Sequence, residues 1–497
     1  LPAPIKNALR PILVILLLAS GACTEPQGNA LRFGLSAGAV TLDPRYATDA
    51  VSHRINRLIY ERLVDFDGNF HAVPRLARWK VLSPLHYRFT LGEKGRVFHD
   101  GRRLTAGDVR ATYVSILDAG DISPHKAMLS GIEHIEVINE ETIDFHLYVA
   151  DPLFPGRLAI GILPEELIDA GHPFHRQPVG SGRMKFLDWP GEDRLRLQRV
   201  SDGQIFEFIT VRDSTVRVLK LLRGELDLVQ NDVPVELLEW LKSKPDIVIE
   251  TGRGDTFTYL GFNLRDPHVG RLIVRQAIAS ALDREAIIRH VLGKAARQAG
   301  ALLPPDHWSG HPDLDGYKYD PERSRQLLKQ AGYDQANPLR ITYKTSNNPL
   351  RVRLATIIQY QLGQVGIGVD LQSYDWGTFY GDIKSGNFQM YSLSWVGLKM
   401  PDIFRYIFHS ASVPPAGANR GYYNDEHADA LIRNAEIRPR LEDMAKIYRE
   451  LQAYLHKQLP YVPLWYEDNL LARRRNVTGY TLSADGNYDG LLSVERR

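Results

Sequence analysis

Cysteine is the scarcest chemistry in this chain: Cys23 is the only one among 497 residues. A single thiol cannot make an internal disulfide, a cysteine cluster for zinc or a resolving redox pair, so whatever Cys23 does must follow from its position. Charge of one sign is also lacking. Lys and Arg number 61 against 59 Asp and Glu, and residues 1–22 hold Lys6 and Arg10 but no acid, leaving 59 against 59 beyond them. That balance argues against nucleic acid as the main partner. The phosphate cradle G-x-x-x-x-G-K-[ST] of a transport ATPase does not occur, nor does the zinc motif H-E-x-x-H. No stretch reaches the roughly 20 apolar residues of a membrane helix. With no disulfides available, the lobes of so long a chain must be held by burial, and its length calls for two or three of them.

Around Cys23 the sequence reads LLLASGACTEPQGN. Lys6 and Arg10 precede an apolar core at residues 12–19, and Ser20, Gly21 and Ala22 supply small residues before the cysteine. This is the anatomy of an export signal. It resembles a bacterial lipoprotein signal, in which the cysteine becomes the lipidated first residue of the mature protein. Ser20 departs from the Leu, Val or Ile usual at that place. The resemblance implies a signal peptide at 1–22, lipidation at Cys23 and a polar tether at 23–30. One acyl chain holds a membrane only marginally, so stable attachment needs several.

The rest alternates strand-like and helix-like segments. LRITYK (339–344) has period-two alternation, apolar residues from Leu350 to Leu362 recur at helical spacing, and IGVDLQSY (367–374) is strand-like again. This predicts a strand-helix-strand unit with a parallel pair. A helix is expected over 271–292, and another over 321–331, capped by Asp320 with Pro321 at its first position. DTFTYLGFNLR (255–265) and YVPLWYEDNLLAR (461–473) are extended and aromatic. Laid side by side, they would carry the chain between two lobes and serve as a hinge.

Several site motifs are weak in context. GLSAG (34–38) matches G-x-S-x-G with Ser36 as nucleophile, but it leads into VTLDP rather than a helix. The pairs His172/His175 and His307/His311 have metal-like spacing, yet Pro304, Pro305, Gly310 and Pro312 make the second segment a loop. Solvated or turn-capping histidines are the plainer reading. RRR (473–475) reads as a solvated face.

A larger constellation remains: TLDPRYATD (41–49), LIYERLVDFDGNFHAVPRLARWKV (58–81), RVFHDGRRLTAGDV (96–109), VRQAIASALDREAII (274–288), YDPERSRQLLKQAGY (319–333) and FYGDIKSGNFQMYSLSWVG (379–397). In this order the segments closely resemble the solute-binding proteins of peptide-type ABC importers, over about residues 31–475. The resemblance implies an α/β, two-lobed periplasmic-binding-protein fold with an inserted third domain and a two-strand hinge. Its implied division is a first lobe from 31–51, 166–255 and 474–497, an inserted domain at 52–165 and a second lobe at 256–473. It also implies a non-enzymatic, monomeric receptor without cofactor or metal, in the periplasm or at the cell-envelope exterior. Such a receptor captures an oligopeptide or similar organic solute and delivers it to permease and ATPase subunits. A signalling or chaperone-like peptide receptor on the same scaffold is the alternative, with a periplasmic hydrolase behind it.

In peptide-binding relatives a W-x-x-D pattern supplies an aspartate for the ligand's α-amino group. Here Trp395, Val396 and Gly397 are followed by Leu398, then Lys399 and, further on, Asp402. A desolvated ammonium without a carboxylate is costly, so amine anchoring would need Asp402 to substitute. Lys399 could instead meet a carboxylate or phosphate, or be an exposed loop lysine. Tyr46, Tyr259, Trp376 and Trp395 are candidate apolar or stacking walls under either arrangement, with the core as the other place for each ring.

Overall fold

Residues 30–118 and 123–497 are described by the computed structural model. The signal-like segment, Ser20 and Cys23 lie outside them. The strand-helix-strand pattern of the 340–374 region forms one end of an eleven-stranded sheet: Arg340–Ser346 and Gly368–Tyr374 pair in parallel, joined by the helix Pro349–Gly363. Asn348 caps that helix by accepting from the amides of Leu350 and Arg351. From this end the sheet continues through Met390–Trp395, Ile247–Phe262, Tyr461–Arg474, Leu228–Gln230, Leu31–Leu35, Ile205–Thr210, Arg194–Arg199 and Met184–Gly191, with Ala296–Gln298 added beside Tyr461–Arg474.

The helix expected over 271–292 is two helices, Leu272–Ala281 and Arg284–His290. Leu282 is extended, and the Asp283 carboxylate accepts from the Ala286 amide 2.9 Å away, so the aspartate caps a new helix rather than continuing the first. The second expected helix runs from Pro321 to Gln330, with Asp320 as its cap.

Two lobes share the long sheet, each with its own core. Phe33, Phe206, Phe208 and Leu471 are buried in one, and Ile278, Tyr343 and Trp465 in the other. A separate four-stranded sheet, ordered Ala77–Ser83, His86–Leu91, Thr142–Leu147 and Ile132–Asn139, packs on the helix Ala106–Leu117 as the inserted domain. Its core holds Phe89, Tyr113, Phe145 and Phe154. Rings of this size bury about 150–250 Å², or roughly 4–6 kcal/mol each of gross transfer free energy. That is an upper figure, because unfolded chains already bury part of it.

The lobes are joined by Ile247–Phe262 and Tyr461–Arg474, which run antiparallel from Ile247 opposite Arg474 to Gly261 opposite Tyr461. Their ladder breaks between Gly252 and Thr256, where residues 253–255 bulge past Asp468. Gly254 is needed there, since a Cβ would lie 2.1 Å from the Glu467 carbonyl oxygen. Beyond it, the Asp255 amide donates to the Ala484 carbonyl and its side chain is buried. This two-strand connection is the hinge.

Candidate functional site

The strand Met390–Trp395 brings the sequence-predicted loop to the junction of the lobes. Phe257 pairs with Trp395 and Tyr259 with Leu393, so Phe257, Tyr259, Tyr391 and Trp395 share one face of the sheet. Tyr259 is buried, packed against Phe257, Tyr391 and Tyr461. Trp395 lies farther out and is half-buried, edge-on to Tyr406 at 6.4 Å between centroids. Val396 is exposed. At Gly397 the backbone takes φ +67, a left-handed conformation suited to glycine, and the chain turns back. Leu398 then enters the second lobe's core.

Lys399 reaches the other way. Its Nζ lies 2.8 Å from Asp485 Oδ2 and 3.8 Å from Asp255 Oδ2, and 5.0 Å from the centre of the Phe70 ring. One ammonium therefore joins the loop after Trp395 to the hinge strand, the C-terminal segment and the turn that carries Phe70. Burial outweighs every other influence on Asp255, and with the nearby Asp485 it pushes this carboxyl up to about 6 against the pull of Lys399 and Arg54. Asp485 is partly buried, which would raise it, but Lys399 and donors from Ser483 and Asn487 bring it down to about 2.

Asp402 is already matched. Its carboxylate accepts from Arg157 Nη1 at 2.6 Å, and Arg157 Nε donates to Asp151 at 2.5 Å. Trp376 is 58% exposed and stacks on Tyr380 at 5.3 Å. With Thr258, Arg351, Ser392, Ser394 and Trp465 it lines a cavity of about 200 Å³. Within that lining the charge of Arg351 is met by Glu467 at 2.7 Å. Tyr46 stands in a different setting, in the first lobe beneath the Arg45 guanidinium, which is itself bound to Asp43.

One residue of this region carried no signal in the sequence. Arg420 is buried, with its guanidinium 5.0 Å from the centre of the Trp395 ring and 5.2 Å from that of Tyr380, to whose hydroxyl it donates at 3.0 Å. Burial holds the nearby Tyr391 hydroxyl well above its ordinary range, so that phenol stays neutral. Among the described residues no Asp or Glu forms an ion pair with Arg420, in contrast to Lys399, Arg157 and Arg351. GANRGYYN, where it sits, matches no binding motif.

The weaker motifs resolve into local structure. Ser36 donates to Asp232 at 2.6 Å rather than to a histidine. His172 contacts the Gln177 carbonyl. His307 is buried, with Nδ1 accepting from the Ser309 amide and Nε2 against the Lys399 carbonyl, and His311 accepts from the Asp313 amide. His307 and His311 thus each accept from the amide two residues on, as turn caps do.

Comparison with known proteins agrees with this architecture. The chain is 28% identical to di/tripeptide-binding protein 2 of Pseudomonas aeruginosa over 96% of its length and 97% of that protein's. It is 27% identical to heme-binding protein A of Haemophilus influenzae, covering 88% and 86% of the two chains. Among solved structures, the periplasmic binding protein DppA of Helicobacter pylori in complex with the peptide STSA superposes with a TM-score of 0.81 at 26% identity, over 94% of this chain and 98% of that one. The family described as bacterial extracellular solute-binding proteins, family 5, matches residues 72–413. With two lobes on a two-strand hinge and most of its length matched, the chain belongs to that family of solute-binding proteins.

Proposed function

We propose that this protein is the receptor of an ABC importer, taking a small peptide or peptide-sized organic acid between its lobes and presenting it to permease subunits driven by ATPase subunits. Ligand contacts to both lobes favour the closed form, so capture is a population shift and requires no covalent chemistry. In this reading the domains divide as expected from the sequence, with 31–51, 166–255 and 474–497 in the first lobe, 52–165 inserted and 256–473 in the second. The receptor acts as a monomer, exported and held to a membrane by lipid on Cys23.

The observation that carries the choice of ligand is the buried guanidinium of Arg420 beside Trp395, which meets tyrosine hydroxyls but, among the described residues, no carboxylate. A buried charge without a counter-ion is costly, and a ligand carboxylate would supply one in a geometry that arginine suits. Leu398 offers no charge for an ammonium, while Asp402 and Lys399 are engaged within the protein. The anchor is therefore the ligand's anionic end, with Trp395, Trp376 and Tyr380 as walls. Mass spectrometry of solutes released by denaturing the purified protein tests this. Short peptides or other organic acids support it, and solutes without an anionic group overturn it.

A further inference from the structure

In the inserted domain, three histidines cross the face of the sheet opposite its core. His86 is in register with His146 on the next strand, and His146 with His134 on the strand beyond. Side chains alternate across a sheet, so Tyr87, Ile135 and Phe145 pack on the core side while the histidines stand opposite. The rings of His86 and His146 are 4.1 Å apart at 26°, and those of His146 and His134 4.1 Å apart at 7°. Two residues along, the same face carries Arg88, Asp144 and Glu136, again in register.

This yields two groups sharing His146, each with its ligand atoms within 4.8 Å of one another: His86, Asp144 and His146, and His134, Glu136 and His146. The first is committed. Asp144 accepts from Arg88 at 2.8 and 2.7 Å and contacts His86 Nε2 at 2.8 Å. The second is not. His146 Nε2 is buried without a hydrogen-bond partner, and Glu136 Oε2, 3.7 Å away, is beyond bonding distance. Donors bound to one zinc ion at about 2.0–2.2 Å lie roughly 3.3 Å apart, which modest side-chain rotations would reach from here.

We propose that His134, His146 and Glu136 form a site for a divalent transition metal of the zinc or nickel class, completed by solvent. Two imidazoles and a carboxylate suit such a metal, whereas calcium and magnesium require oxygen ligands. Bound metal would tie the edge strand Ile132–Asn139 to Thr142–Leu147 and so stiffen the sheet's exposed margin.

The test is calorimetric titration of chelator-treated, dialysed protein with zinc chloride at pH 7.5. One zinc per chain is expected, bound at least about tenfold more weakly by His134→Ala and by Glu136→Gln, and zinc should raise the melting temperature of the wild type but not of His134→Ala/His146→Ala. Both His134 and Glu136 are exposed, so these single variants remain informative if His146→Ala disturbs the sheet. Equal zinc uptake by the wild type and the His134→Ala variant, no uptake at all, or calcium bound as tightly as zinc would each overturn the assignment.

Discussion

Lys399 Nζ sits 2.8 Å from Asp485 Oδ2, tying the loop after Trp395 to the C-terminal segment of the chain. The ammonium is partly exposed, with 22% of its side-chain surface accessible, which lowers what the pair is worth. Lys399→Met should therefore destabilise by about 1–3 kcal/mol, less than the 3–5 kcal/mol of breaking a fully buried pair. Urea unfolding measures this, and small-angle scattering of the ligand-free variant should show a larger radius of gyration. An unchanged midpoint and radius would mean that the contact does not hold the lobes.

Asp255, beside the same ammonium, gives a pH dependence. Its carboxyl is raised from 3.8 to about 6 in the folded protein, so folding favours its protonated form. The stabilisation from holding that proton is full below about pH 4 and lost as pH rises through 6. Above pH 7 the charged form costs on the order of 2–3 kcal/mol, at about 1.4 kcal/mol per pKa unit. Asp255→Asn should then raise the melting temperature at pH 8 and bring little change at pH 4. An equal effect at both values would rule out this source.

Trp395 should matter to binding and little to folding, since its ring is only half-buried at the edge of the aromatic cluster. In Trp395→Ala the released solute should bind at least about tenfold more weakly while the unfolding free energy changes by less than about 1 kcal/mol. Unaltered affinity would remove Trp395 from the site.

Cys23→Ser addresses the anchor. If lipid on Cys23 holds the protein at a membrane, the variant should appear in the soluble envelope fraction with altered processing. A variant that stays membrane-bound and normally processed would exclude lipidation while leaving the receptor reading intact.

The scaffold was legible in the sequence because its signals are local. Period-two alternation at 339–344, the Asp320-Pro321 helix start and the extended aromatic segments each report their own backbone, and all three took the expected form. The 271–292 helix was misread because the Asp283 cap interrupts a continuous apolar face. The site was less legible, since its charges find partners across long sequence separations. Nothing near Lys399 points to Asp485, nothing near Asp402 to Arg157, and Arg420 stands out only because folding surrounds it with rings instead of carboxylates. His86, His134 and His146 likewise become neighbours only through strand register.

The central claim is that Arg420, and no carboxylate near position 398, anchors the ligand. Calorimetry with the tightest-binding member of a dipeptide library tests it directly, by comparing the free dipeptide, its N-acetyl form and its C-terminal amide on wild type and Arg420→Gln. A charge-assisted bond of about 1.5–3 kcal/mol predicts a loss of roughly 10- to 100-fold on amidation, little loss on acetylation, and no amidation penalty in the variant. A large loss on acetylation with amidation tolerated would contradict the account.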